Sequence, residues 1–346
     1  YRVGLYTSPH LERANERIRV NFAEIDDDTL ARRLREVLER LPDDHELTYF
    51  EFGTLLAWWH FAHAPIDLVI LETGLGGRLD ATNLCEPLVA AITAIDFDHM
   101  EFLGHTLPLI AAEKAGIAKP GVPLVVMQQP AEVMPVFEAR ARELKCALRV
   151  EGRDFSLPAD WALGLAGPHQ RHNAAVAVEV LQQLATRGFA LSTEQIRTGL
   201  AQTRWPGRLE RFSGNPPVLL DGAHNPAGVQ VLREALATLG PAQVHLVFGV
   251  FGDKDFRPMM KALLPTCAAV YLTPVNSPRS WQPRAFEAFA RTLTPCVSAH
   301  DSLEEALTAA EAASTHPDAL ILVAGSLSLV GHARGWLRSR GRSPMR

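Results

Sequence analysis

The chain has 346 residues, 47% of them hydrophobic and 21% charged, an ordinary composition for a folded protein with enough length for two cores. Its net charge of −5 lends no support to bulk attraction for nucleic acid, and no apolar run approaches the length of a membrane span. Four scattered cysteines (Cys85, Cys146, Cys267 and Cys296) form no C-x-x-C pair, which disfavours a zinc site or disulfide framework and favours reduced, cytosolic thiols.

The sequence opens at Tyr1 without an initiator Met, inside the strand-like run Arg2–Tyr6, and reads as a fragment. A helical pattern covers Thr48–His63. The apolar run Leu68–Glu72 reads as a buried parallel strand, with Glu72 at the carboxyl edge where open α/β sheets bind ligands. The turn Gly74–Gly77 lets backbone approach a ligand, with Arg78 and Asp80 close by. It is not a dinucleotide fingerprint, because Leu79 stands where a third Gly or Ala belongs; no Gly-Lys dipeptide supplies a triphosphate cradle either. A second buried strand, Val89–Ile95, precedes Asp98-His99, which is expected at the same sheet edge as Glu72. A carboxylate and a neutral imidazole from neighbouring strand ends are candidate ligands for a divalent cation; a surface turn with an incidental His is the alternative.

In the helix Leu107–Ile117, the residues Leu107, Ile110, Ala111, Ala115 and Ala118 make one apolar face, and Lys114 shares it. Either its stem snorkels to water or its amine is functional, neutralised or chemically modified. A strand at Pro123–Met127 and a helix at Asn173–Arg187 follow. Thr203–Glu210 breaks the rhythm and Gly214-Asn215-Pro216-Pro217 soon follows, which sets a boundary between domains 1–207 and 208–346. Beyond it, strands are expected at Val218–Asp221, Val244–Gly249, Ala269–Thr273 and Ala319–Ala324, with a helix at Gly228–Leu239. Ser302–Glu305 has the form of a capping box. Asp221 ends one strand facing a ligand or a turn, and Asp253-Lys254-Asp255 is equally ambiguous. Gly325-Ser326 is compatible with anion binding at a helix start. The last fifteen residues hold five arginines (Arg334, Arg338, Arg340, Arg342, Arg346), which read as a solvated basic tail. The alternation of strands and helices makes the fold class α/β.

These segments together resemble the folylpolyglutamate synthase/dihydrofolate synthase family of ATP-dependent Mur ligases. The resemblance runs from Tyr6–Leu11 and Asn15–Val20 through Tyr49–Glu51, Glu72–Asn83, Asp98-His99 and Glu113–Ile117 to His169-Gln170 with Asn173–Ala175. It continues in Pro206–Glu210, Asp221–Pro226, Asp253–Asp255 and Gly325–Leu327, and the string G-L-G-G-R-L-D-A-T-N is nearly diagnostic. The resemblance implies a P-loop-type Mur ligase central domain and a smaller Rossmann-like α/β C-terminal domain. It also implies a G-T-N-G-K-[GS] loop upstream of the segment equivalent to Tyr1. This sequence does not contain it, so the 346 residues alone are expected to bind ATP poorly.

The implied reaction joins L-glutamate to dihydropteroate and to the γ-carboxylate of folate glutamates through an acyl phosphate, in folate biosynthesis and one-carbon metabolism. The resemblance implies ATP and Mg2+ (two ions) as cofactors, with K+ as a further candidate. By the same resemblance Ser8, Glu72, His99 and Lys114 belong to the metal site, Lys114 as a carbamylated lysine. Asn173, Arg208 and Asp221 correspond to nucleotide contacts, with Arg208 beside a hinge whose closure assembles the site. Thr48, Tyr49, Phe50 and Glu51 with Leu79, Asp80 and Ala81 correspond to the pterin-side pocket. His224, as a catalytic group, and Ser326 fall near the glutamate. The partners are then small molecules (dihydropteroate, reduced folates, L-glutamate and ATP), with no nucleic acid or membrane, and the protein is a cytoplasmic monomer. A monofunctional folylpolyglutamate synthase, a Mur-type ligase acting on peptidoglycan precursors or cyanophycin, and a non-catalytic pterin- or nucleotide-binding module are the competing readings.

Overall fold

The structure, a computed structural model, describes residues 1–345; Arg346, counted above with the basic tail, lies outside them. The chain divides into two compact units, residues 1–156 with 175–190 and residues 157–174 with 191–346.

The first unit begins with β1 (Val3–Tyr6), β2 (Ile18–Val20) and β3 (Ala23–Glu24), then α1 (Asp27–Leu38), α2 (Tyr49–Ala62) and β4 (Leu68–Leu71). These strands form a sheet in the order β3-β2-β1-β4, with β1 and β4 parallel. Next come β5 (Ala90–Ile92), α3 (Met100–Leu103), α4 (Leu107–Ala115), β6 (Leu124–Val126), α5 (Met134–Leu144) and β7 (Leu148–Val150), the strands making a separate parallel sheet, β5-β6-β7. Helix α6 (His169–Ala185) follows, its first six residues assigned to the second unit. Thr48 starts α2 by a reciprocal cap: Glu51 N–H donates to Thr48 Oγ1, and the Glu51 carboxylate accepts from Thr48 N–H at 2.8 Å.

Two expectations change here. Val69 and Leu71 pack with the core that contains Tyr6, Leu56 and Phe61, but Ile70 between them is 51% exposed. Along β4 only Ile70 is exposed, while Leu68, Val69 and Leu71 are partly covered. Glu72 and Asp98-His99 also follow strands of different sheets, because β4 makes ladder bonds with β1 and β5 with β6.

The second unit adds α7 (Thr193–Gln202), β8 (Glu210–Phe212), β9 (Val218–Leu220), α8 (Pro226–Leu239), β10 (Gln243–Phe248), α9 (Phe256–Leu263), β11 (Ala269–Leu272), α10 (Pro283–Arg291), β12 (Val297–Ala299), α11 (Leu303–Ala313), β13 (Ala319–Ala324) and α12 (Leu327–Ser339). Its six-stranded sheet runs β12-β11-β10-β13-β9-β8, parallel throughout except for β8. Every residue of β9 and β13 is buried, as continuous apolar runs under helices on both faces demand. The carboxyl ends of β9, β10 and β13 lie side by side, so Asp221, Gly249 and Gly325 share one edge of the sheet.

Two more readings are corrected. Ser302 caps α11, but the Glu305 carboxylate accepts from Asp301 N–H at 3.2 Å rather than from Ser302, so the box is half closed. The C-terminal arginines are not one solvated tail. Arg334 lies within α12 and pairs with Glu210, while Arg342 reaches Glu311 at 2.5 Å. Charged stems at the end of an amphipathic helix pack against its neighbours. Among the described residues no helix is long and apolar enough to cross a membrane.

Candidate active site

In the first unit, the glycine loop after β4 is fastened directly to the end of α4. A Cβ placed on Gly77 would lie 2.9 Å from the carbonyl oxygens of Glu113 and Lys114, and one on Gly116 would overlap Arg78 Cα. Only glycine permits backbone to approach backbone this closely. Hydrogen bonds complete the junction. Arg78 N–H donates to Glu113 O at 2.8 Å, and the Asn83 side-chain amide donates to both Arg78 O and Gly116 O at 3.1 Å. Asp80 shapes the loop from within. One oxygen accepts from Gly74 and Leu75 N–H, and the other accepts from Thr82 N–H and Oγ1.

Lys114 is thereby carried to the loop. It is half-buried, and burial pulls its amine below the ordinary lysine value while the charges of Asp98 and Asp80 oppose that shift. The loop acid, the Asp98-His99 corner and the helix lysine thus share one electrostatic neighbourhood. Ser8 and Glu72 form a second pairing, Ser8 N–H donating to Glu72 Oε2 at 2.8 Å. His99 begins α3 with φ of 48°, a left-handed conformation sparsely populated outside glycine, and its side chain is partly exposed.

Among the described residues, no group of three or more His, Cys, Asp or Glu side chains is arranged to hold a metal ion. The set read from the sequence contains two such residues, Glu72 and His99, beside a hydroxyl and an amine. Hydroxyl, carboxylate and imidazole donors fit a hard divalent cation such as Mg2+ or Mn2+.

The pterin-side residues gather less uniformly. Thr48 and Glu51 are engaged with each other in the α2 cap, while Phe50 packs with the core around Tyr6. Tyr49 is exposed, with the Arg17 guanidinium 5.3 Å from its ring centroid. Leu79 projects from the loop at 79% exposure, and Ala81 opens the short 3-10 helix Ala81–Leu84 behind the Asp80 cap.

In the second unit, Asn173 stands on the first turns of α6 and donates to Gln170 Oε1 at 3.0 Å. Asp221 follows β9 and holds two backbone groups, Leu209 N–H through Oδ2 and Ala223 N–H through Oδ1, both at 3.0 Å. Burial raises its carboxyl pKa, opposed by those N–H donors and by the Arg208 charge. Arg208 lies against Gly222, where an added Cβ would be 2.5 Å from Nη1. His224 turns Nδ1 toward Gly222 O at 2.8 Å. Ser326 is only 1% exposed, and its hydroxyl accepts from Ser328 N–H as the cap of α12. The sequence reading missed Glu113 and Arg78 as partners, and Glu210 and Arg334 beside Arg208. An acid three positions after Gly207 was a visible signal; the arginine more than a hundred residues later was not.

The family described as Mur ligase, glutamate ligase domain, matches residues 207–327. A folylpolyglutamate synthase of Lacticaseibacillus casei is 34% identical, over 96% of this chain and 82% of the relative. The solved structure of Escherichia coli FolC in complex with DHPP and ADP aligns with a TM-score of 0.89 at 32% identity, covering 99% of this chain and 83% of that one. A Yersinia pestis bifunctional folylpolyglutamate synthase/dihydrofolate synthase complexed with AMPPNP and Mn ion aligns with a TM-score of 0.86 at 33% identity, covering 97% and 82%.

Proposed function

Because the chain belongs to the folylpolyglutamate synthase/dihydrofolate synthase family of Mur ligases, we propose that it is an ATP-dependent ligase that adds L-glutamate to dihydropteroate and to folate glutamates. The observation that carries this reading is Lys114, a half-buried lysine beside two carboxylates, fixed to the glycine loop through Gly77 and Gly116.

The chemistry joins a carboxylate to an amine. The substrate carboxylate attacks the terminal phosphorus of ATP, ADP leaves, and an acyl phosphate remains. The neutral glutamate amine then attacks the acyl carbon, phosphate departs, and the nitrogen loses its surplus proton to solvent, leaving an amide. The obstacle is repulsion between a carboxylate and a triphosphate. A divalent cation, when bound, neutralises phosphate charge. Ser8, Glu72 and His99 are the residues that would hold it.

Lys114 acts in this reading as a carbamate. A neutral amine adds to the carbon of CO2, one N–C bond forms, and a proton goes to solvent. The product is an anion where the unmodified side chain would be a cation. Burial that lowers the amine pKa enlarges the neutral fraction that reacts. Asp80 keeps the loop in one shape so that Leu79 and Ala81 can face a flat heteroaromatic ring, with Tyr49 and Phe50 from α2, and the Thr48–Glu51 cap fixes where α2 starts. The second unit supplies the nucleotide contacts, Asn173, Arg208 and Asp221. His224 and Ser326 stand nearer the incoming glutamate. All four cysteines are unbonded, which suits a reducing cytoplasm, and the enzyme is proposed to act as a monomer on small molecules.

Heavy-oxygen labelling tests the intermediate. With the label in the carboxylate of dihydropteroate, transfer of one labelled oxygen to inorganic phosphate is expected. Unlabelled phosphate accompanying amide formation would contradict the acyl-phosphate route. Turnover with dihydropteroate, compared with a reduced folate, separates the bifunctional enzyme from a monofunctional folylpolyglutamate synthase.

A further inference from the structure

Arg208 sits in a backbone turn that the chain holds under strain. Gly207 has φ of 70° and Leu209 has φ of 47°, so left-handed residues flank Arg208 on both sides. A bulky residue such as Leu rarely adopts that conformation and needs its surroundings to impose it. Two carboxylates do so. Asp221 Oδ2 accepts from Leu209 N–H at 3.0 Å, and Glu210 Oε2 accepts from Gly207 N–H at 2.9 Å. Gly222 N–H donates to Gly207 O at 2.9 Å, closing the turn onto the end of β9.

Glu210 does not stand alone. Arg334 Nε donates to both of its oxygens at 3.1 Å, with the two side chains only 17% and 11% exposed. A shielded forked pair of this kind fixes geometry in a way an exposed ion pair does not. Arg334 is contributed by α12, far along the chain, and holds the Glu210 carboxylate where its Oε2 accepts from Gly207 N–H.

We propose that Arg334 and Glu210 are positioning residues for Arg208: the pair holds the strained turn that aims the Arg208 guanidinium at the nucleotide. The inference rests on the reading of Arg208 as a nucleotide contact, and its test separates the two. ADP affinity is measured by calorimetry for the unsubstituted full-length protein, Arg208→Ala, Arg334→Gln and the double variant. Arg334→Gln is expected to weaken ADP roughly tenfold, and that factor should vanish in the Arg208→Ala background. Arg334→Lys, which keeps the charge and loses the fork, should fall between.

Unchanged ADP affinity in Arg334→Gln, or the same loss with and without Arg208, overturns the positioning role while leaving Arg208 as a contact. Full affinity in Arg208→Ala removes the nucleotide reading itself, and the inference with it. If Arg334→Gln does not fold, Glu210→Asp, which retains charge but shortens reach, carries the same comparison.

Discussion

Arg78 and Glu113 form a forked ion pair between the glycine loop and α4, with Arg78 Nε 3.2 Å from both carboxylate oxygens and Nη2 3.0 Å from Oε1. The same two residues are joined through the backbone, Arg78 N–H to Glu113 O. Lys114 is the next residue along the helix. Whatever holds Glu113 in place therefore sets where the backbone of Lys114 lies.

Gly116→Ala should disrupt this junction most severely. The new methyl overlaps Arg78 Cα and backbone nitrogen, neither of which can move away as a flexible side chain could. A loss of about 2 to 3 kcal/mol is expected from overpacking a closed contact. Urea denaturation measures it, and a variant as stable as the parent would show that the loop yields easily.

Glu113→Gln separates positioning from stability. The pair is partly solvated, with side chains 56% and 28% exposed, so its contribution to folding should be below about 1 kcal/mol. Turnover should nonetheless fall, with KM for ATP little changed, because the lysine loses its register. Equal losses in kcat and in denaturation midpoint would point to a merely structural role.

Lys114→Met should abolish ligation, by roughly a hundredfold or more, yet raise stability at neutral pH. The sign follows from the lowered amine pKa. Between that lowered value and the ordinary 10.5 the folded state binds fewer protons than the unfolded state, so stability rises with pH across that window. In the CO2-free protein, where Lys114 is unmodified, the protonated amine bears its desolvation cost at neutral pH. Methionine has no such cost and no such slope. Denaturation midpoints at neutral and alkaline pH measure both, and an unchanged slope in the variant would remove the argument.

Much of this was legible in the sequence, for reasons that differ by unit. In the second unit the four inner strands are apolar runs such as Leu320–Ala324, and these were placed within a residue or two because burial on both faces leaves no alternative pattern, whereas the edge strands β8 and β12, short and mixed in polarity, were not foreseen. In the first unit, Leu68–Leu71 has the same composition but is only partly covered, and composition alone cannot distinguish the two cases. The placement of Lys114 on an apolar helix face was visible from spacing. The partners of Arg208 were not, because the Glu210–Arg334 pair joins residues 124 positions apart and only the fold brings them together. For the same reason Arg334 and Arg342 looked like a solvated tail until α12 packed against β9 and β13.

The cysteines offer an independent check on the second core. Cys267 lies within that core, where burial pushes its thiol up to about 12, while Cys296 is exposed. Cys296 should react promptly with a thiol reagent at neutral pH and Cys267 only after unfolding, since the thiolate is the nucleophile. Equal labelling rates under native conditions would contradict the described packing.

The most direct test of the whole account is product mass. The full-length protein is incubated with ATP, Mg2+, L-glutamate and dihydropteroate, and the pterin product is weighed. The expected result is a gain of one glutamyl residue that requires ATP and disappears in Lys114→Met. No glutamyl product with either dihydropteroate or a reduced folate, from protein shown to be folded, would contradict it.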